Sequence, residues 1–89
     1  MTWRISPNVA WTYDEDGVAV ATVPDTQVYR LDSSGGIIWD AVAERPGATT
    51  DEIVADVAAL VHVPAGRICE DVISYLRHLE SLGIVIARG

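Results

Sequence analysis

Ile68, Val72, Tyr75, Leu76, Leu79 and Leu82 fall in one stripe at helical spacing and run out at Gly83, a residue suited to the left-handed turn that closes a helix. This is the most constraining pattern in the chain. It predicts a long amphipathic helix opening at Val63-Pro64, with Pro at its first position. Gly66 in its first turns costs about 1 kcal/mol against Ala, so a later start is also expected. A helix with one apolar stripe must bury it against other elements. Two more helices are readable upstream. Ile37–Ala43 places Ile38, Ala41 and Val42 on one side and ends at Arg45-Pro46-Gly47. Asp32-Ser33-Ser34-Gly35-Gly36 reads as its entry loop, with Ser33 or Ser34 capping and the two glycines turning tightly. Thr49-Thr50-Asp51-Glu52 spells a capping box, after which Ile53, Val57, Leu60 and Val61 line one helical face.

The N-terminal third has a different period. Val9–Tyr13 and Val18–Val23 read as strands joined by the turn Asp14-Glu15-Asp16-Gly17, where Gly17 supplies a positive φ. Pro24-Asp25 breaks the second strand, and Gln27–Leu31 forms a third, with Tyr29 and Leu31 on one face and Val28 and Arg30 on the other. Ile84-Val85-Ile86 reads as a short closing strand or extended tail. The order is three strands, then three helices. This predicts a small α+β fold, a three-stranded antiparallel sheet followed by three helices, as a single domain over residues 1–89.

Composition narrows the function. There are 13 acidic residues against 6 basic ones, all Arg, for a net charge of −7. Phosphate backbones and anionic membrane surfaces both require clustered positive charge, so nucleic acid and membrane are excluded as partners. The same acidity points to a basic surface on whatever this chain meets. Cys69 is the single cysteine, which rules out an internal disulfide and fits a reducing cytoplasm. Met1–Pro7 has no apolar signal core, and no stretch reaches the ~20 apolar residues of a membrane span.

Candidate chemistry is sparse. Asp71, Ser74 and His78 share one helix face, but a triad needs a sheltered base and an oxyanion hole, and this face is expected to be solvated. Cys69 and His78 lie on opposite sides of one helix at about 100° per residue, so with His62 they match no metal pattern. Ser33-Ser34-Gly35-Gly36 lacks the Lys of a phosphate loop. Asp51-Glu52 and Glu70-Asp71 are neighbours that diverge around a helix rather than acid–base pairs. No catalytic set, metal or cofactor is expected. One feature exceeds a plain amphipathic helix. Cys69, Ile73 and Leu76 form a second apolar flank on the third helix, Ile73 about 120° from the stripe centre, bordered by Arg77 and Glu80. A strand edge beside a helix flank is a recurrent peptide-docking surface, and Gln27–Leu31 could be that edge.

Three blocks carry a family resemblance. The first is Val9-Ala10-Trp11, Gly17-Val18-Ala19-Val20 and Tyr29-Arg30-Leu31-Asp32. The second is Gly36-Ile37-Ile38-Trp39 with Thr50-Asp51-Glu52-Ile53-Val54. The third is Asp71-Val72-Ile73-Ser74-Tyr75-Leu76, Leu79 and Gly83-Ile84-Val85. In this order, from about Val9 to Val85, they resemble the PqqD family, peptide chaperones also called recognition elements for ribosomally synthesised, post-translationally modified peptides (RiPPs). The resemblance implies a winged helix-turn-helix-like fold and a non-catalytic role. Such a domain binds the leader of a precursor peptide and presents it to a modifying enzyme such as a radical SAM enzyme, a protease or a cyclase. The leader adds as a strand beside the third strand and lies on the third helix. On this chain those positions are Gln27, Val28, Tyr29, Arg30 and Leu31, with Cys69, Val72, Ile73, Leu76 and Arg77 across from them. Gly35-Gly36 departs from the single glycine usual there. Two other readings compete. A winged-helix DNA regulator is disfavoured by Glu70, Asp71 and Glu80 beside Arg67 and Arg77. A generic or antitoxin-like interaction module would bind a folded partner instead.

Overall fold

Two antiparallel three-stranded sheets and three helices enclose one core in the computed structural model, which describes every residue except 24 and 25. The strand break read at Pro24-Asp25 therefore lies outside the described residues. The elements are β1 (Thr2–Ile5), β2 (Val9–Asp14), β3 (Gly17–Thr22), β4 (Val28–Leu31), α1 (Ser33–Glu44), β5 (Ala48–Thr49), α2 (Thr50–Val61), α3 (Ala65–Ser81) and β6 (Val85–Arg88).

The predicted meander is present as the sheet β2-β3-β4. Its hairpin pairs Asp14 with Gly17 across a two-residue turn. Gly17 has φ +145°, and a Cβ there would meet the Leu31 carbonyl oxygen at 2.0 Å, so the position accepts only glycine. Val18, Val20 and Leu31 point inward and are buried. The second sheet, β5-β1-β6, goes beyond the expected strand count. In it the N-terminal strand β1 runs between β5 and the C-terminal β6, which turns the expected closing strand Ile84–Ile86 into a paired one shifted to Val85–Arg88. Trp3, 1% exposed, fills the space beneath this sheet, and its indole N–H donates to Thr50 Oγ1 at 2.8 Å.

The helices form where their patterns end in caps. Thr49 accepts from the Glu52 N–H at 3.1 Å and Glu52 accepts from the Thr49 N–H at 2.9 Å, the full capping box. Val72, Leu76 and Leu79 of α3 are buried, while Ile68, Tyr75 and Leu82 pack half-buried against them. Gly83 closes α3 at φ +80°.

Three expectations are corrected. Helix α1 begins at Ser33, so Ser33-Ser34-Gly35-Gly36 is its first turn and not a loop; the cap is Asp32, whose carboxylate accepts from the Gly35 N–H at 2.7 Å. Gly35 is there for packing rather than turning, since a Cβ would meet the Tyr75 hydroxyl of α3 at 2.0 Å. Helix α3 starts at Ala65 despite Gly66, because Pro64 sits as the residue before the helix and its carbonyl accepts from the Arg67 N–H at 3.0 Å. On α2 the buried face is Ile53, Val54, Val57 and Ala58, and Leu60 and Val61 project to solvent, 61% and 36% exposed. The apolar spacing runs one turn past the edge of the surface that α2 covers.

Candidate functional site

Strand β4 is the outer strand of its sheet and pairs only with β3 among the described residues. Antiparallel pairs alternate between bonded and non-bonded. The Thr22 N–H donates to the Gln27 carbonyl at 2.9 Å. In the same register Val20–Tyr29 and Val18–Leu31 are then the bonded pairs. The N–H and C=O groups of Val28 and Arg30 are consequently directed at the open edge.

The side chains of this strand divide as their alternation predicts. Val28 is 62% exposed, and Arg30 is exposed beside it. The Arg30 guanidinium bonds the Asp14 carboxylate at 2.7 Å. That contact, with the Asp16 N–H donating to the same carboxylate, holds the Asp14 acid below the usual carboxylate range. Tyr29 is half-buried on the inner face, and Leu31 is sealed in the core. Gln27 stands exposed just ahead of the strand.

Across from β4, the expected α3 flank is only partly a surface. Leu76 and Val72 are 0% and 2% exposed and belong to the core with Leu31, so these three side chains are not open to a ligand in this state. Cys69 is half-buried and packs on the core; Ile73 is half-buried outside that cluster. Arg77 is exposed, 3.6 Å from Glu80 one turn on. Tyr75 lies further along α3 against Gly35; burial first, and the nearby Asp32 carboxylate second, raise its phenol above the ordinary value.

The open cleft beside Tyr29 has a volume of about 470 Å³. Its floor and walls come from Tyr29, Gln27 and Val23 on one side and Leu82, Gly83 and Ile86 on the other. Cys69, Ile73 and Leu76 do not line it, so the pocket expected against that flank sits instead at the C-terminal end of α3. Residues 6–9 and Thr22 also line the cleft, and Ser6 ties down its far wall: its N–H donates to Ile84 O at 3.1 Å and its hydroxyl to Gly83 O at 2.8 Å. Sequence reasoning missed Ser6, Leu82 and Ile86 as site residues because they meet only through the β1–β6 pairing. The one local signal was the alternation Trp3-Arg4-Ile5 running into Ser6-Pro7.

The other candidate chemistry stays dispersed. Asp71, Ser74 and His78 are all exposed along α3. His62 caps α2 in the left-handed region at φ 58°. No three His, Cys, Asp or Glu side chains gather for a metal ion among the described residues. No helix of the described residues is long and apolar enough to cross a membrane.

The fold is shared with solved structures. TbiB1 in complex with the TbiA(beta) leader peptide superposes with a TM-score of 0.81 at 24% identity, covering 97% of this chain and 98% of that one. A lasso peptide synthetase B1 complexed with its leader peptide gives 0.76 at 12% identity, over 96% and 98%. The PqqD truncation of Methylobacterium extorquens PqqCD, a functional and stand-alone RiPP recognition element, gives 0.74 at 16% identity, over 97% and 89%. No curated protein sequence matches the chain. The family model for coenzyme PQQ synthesis protein D matches residues 13–85, which takes in the end of β2, strands β3, β4 and β5, all three helices and the first residue of β6, and on that match the chain belongs to the PqqD family.

Proposed function

We propose that this protein is a non-catalytic adaptor, acting as one domain over residues 1–89 in the cytoplasm, that binds the leader of a ribosomally made precursor peptide and presents it to a modifying enzyme. The observation that carries the reading is the open edge of β4, with the Val28 and Arg30 backbone groups directed outward beside a cleft floored by Tyr29. Two structural relatives are complexes with leader peptides. The leader would add as a strand along Gln27–Leu31. Backbone hydrogen bonds would supply affinity, and side-chain pockets would supply selectivity. Leu82 at the C-terminal end of α3 lines the cleft itself; Cys69, Ile73 and Arg77, further back along α3, would extend the helical side of the groove, with Leu31, Val72 and Leu76 beneath them in the core. No bond is made or broken in this domain. Tethering the leader raises the effective concentration of the attached core peptide at the enzyme, be that a radical SAM enzyme, a protease or a cyclase.

The test is a fluorescence-polarisation titration with the leader of the precursor encoded beside this chain. Saturable binding is expected, weakened at least about tenfold by Ile73→Asp. Ile73 lies outside the core cluster, so circular dichroism of the variant should match the wild type. Unchanged affinity in a folded Ile73→Asp protein would place the groove elsewhere.

A further inference from the structure

A second surface, which shares no lining residue with the cleft beside β4, has the form of a protein-docking face. Two depressions, of about 380 and 210 Å³, run together over the β2–β3 turn, α1 and the end of α2. They share Ile37, Asp40 and Leu60. Leu60 is 61% exposed, a large apolar side chain offered to solvent at the centre of the shared floor. Tyr13, 52% exposed, borders it and is fastened to α1 by its hydroxyl donating to Asp40 at 2.9 Å.

The rim is acidic. Asp14 and Glu15 bound the first depression, Glu44 and Asp56 the second, and Asp40 both. Arg30 pairs with Asp14 at 2.7 Å and Arg45 with Asp56 at 3.1 Å, which leaves Glu15, Asp40 and Glu44 as the carboxylates without an ion pair among the described residues. Neither depression is lined by Arg or His among the described residues. An exposed apolar centre inside a polar rim is the anatomy of an interface, and the charge of this rim selects its occupant. A second copy would set acids against acids in a chain of net charge −7. The leader groove shares no lining residue with this face. We infer that the α1/α2 face docks the modifying enzyme, through a patch on it that places an apolar side chain over Leu60 within a ring of Lys or Arg. The identity of the occupant rests on the adaptor reading. The position and charge of the face do not.

The experiment is calorimetric titration of the full chain with the purified modifying enzyme encoded beside the precursor, at low and high salt, alongside the leader titration. Wild type is expected to bind the enzyme, more weakly as salt rises. Leu60→Ser and Glu44→Lys, both at exposed positions, should each weaken the enzyme at least about tenfold and leave leader affinity unchanged. Wild-type enzyme affinity in both variants, salt-independent binding, or no enzyme binding by the wild type overturns the proposal. So does a dimer in sedimentation that Leu60→Ser dissolves, since the face would then belong to a second copy. Enzyme binding that responds to these variants in a chain that ignores the leader keeps the docking face and removes the leader reading instead.

Discussion

Sheet β2-β3-β4 is assembled from neighbours along the chain, whereas sheet β5-β1-β6 joins its two ends, Thr2 pairing with Arg88 on one side and Thr49 on the other. In the first sheet an outer strand is left over, and that leftover edge is the candidate site. In the second, the central strand β1 is paired on both edges and Trp3 beneath it is buried. The two are not independent. Ser6, just past β1, holds the α3–β6 turn through Gly83 and Ile84, and that turn is the far wall of the cleft whose near wall is β4. The end-joining sheet therefore positions one side of a groove whose other side the local sheet supplies.

Trp3→Ala breaks this relation most severely. Truncating a fully buried Trp typically costs about 3–5 kcal/mol, and the Thr50 hydroxyl loses its partner as well. Urea unfolding should show a loss in that range. A change below about 1 kcal/mol would mean that the end-joining sheet contributes little to the core and does not hold the cleft.

The same contrast explains what was legible beforehand. Meander and helices announce themselves locally: Val18 and Val20 alternate, Gly17 marks the hairpin, and Thr49 and Glu52 close a cap within four positions of each other. Strand β6 is foreshadowed by Ile84–Ile86, but β1 and β5, of four and two residues, are set off by no hairpin turn and become strands only by pairing across the whole chain. For that reason Ser6 and Ile86 escaped the site. Leu60 and Val61 were misplaced for a different reason. Helical periodicity tells which residues share a face but not where the neighbour covering that face stops. Asp32 displaced the two serines as cap of α1 because its carboxylate reaches the Gly35 N–H, a choice among adjacent capping residues that spacing does not make.

On the open edge, Arg30→Pro and Arg30→Ala separate backbone from side chain. Proline removes an N–H that faces away from β3 and is tolerated on edge strands in such positions. Arg30→Pro should leave thermal stability close to wild type and weaken the leader by at least about tenfold, equivalent to ~1.4 kcal/mol. Arg30→Ala keeps the N–H and loses an exposed ion pair with Asp14, a solvent-screened contact that contributes little, so its effect on the leader should be clearly smaller. Equal losses in the two variants would contradict strand addition along β4.

Beside the closing sheet, Thr49→Ala tests whether the cap at the β5–α2 junction matters on its own. Removing a Thr cap costs about 1 kcal/mol, and the Trp3 contact to Thr50 remains. Chemical denaturation should show this loss with leader affinity intact, because the cap lies away from β4. A drop in leader affinity would show that α2 transmits to the edge.

The smallest expected effect is electrostatic, and each region carries one such carboxylate. Asp14 beside β4 is held below its ordinary range chiefly by the Arg30 guanidinium; Glu52 beside β5 is held below it chiefly by the Thr49 N–H, then the Thr49 hydroxyl, with Arg45 adding less. A carboxyl with a lowered folded-state pKa contributes stability that is present above its unfolded value, about 4, and is lost as pH falls through the folded value. The difference in urea midpoint between wild type and Asp14→Asn, or between wild type and Glu52→Gln, should therefore be full at neutral pH and close as the solution is acidified below that range. Salt distinguishes the two. Asp14 depends mainly on an exposed opposite charge, which salt screens, while Glu52 depends mainly on a backbone hydrogen bond, which it does not. Added salt at neutral pH should erode the Asp14 contribution and spare most of that from Glu52; equal erosion would mean that the two carboxylates are held by the same kind of force.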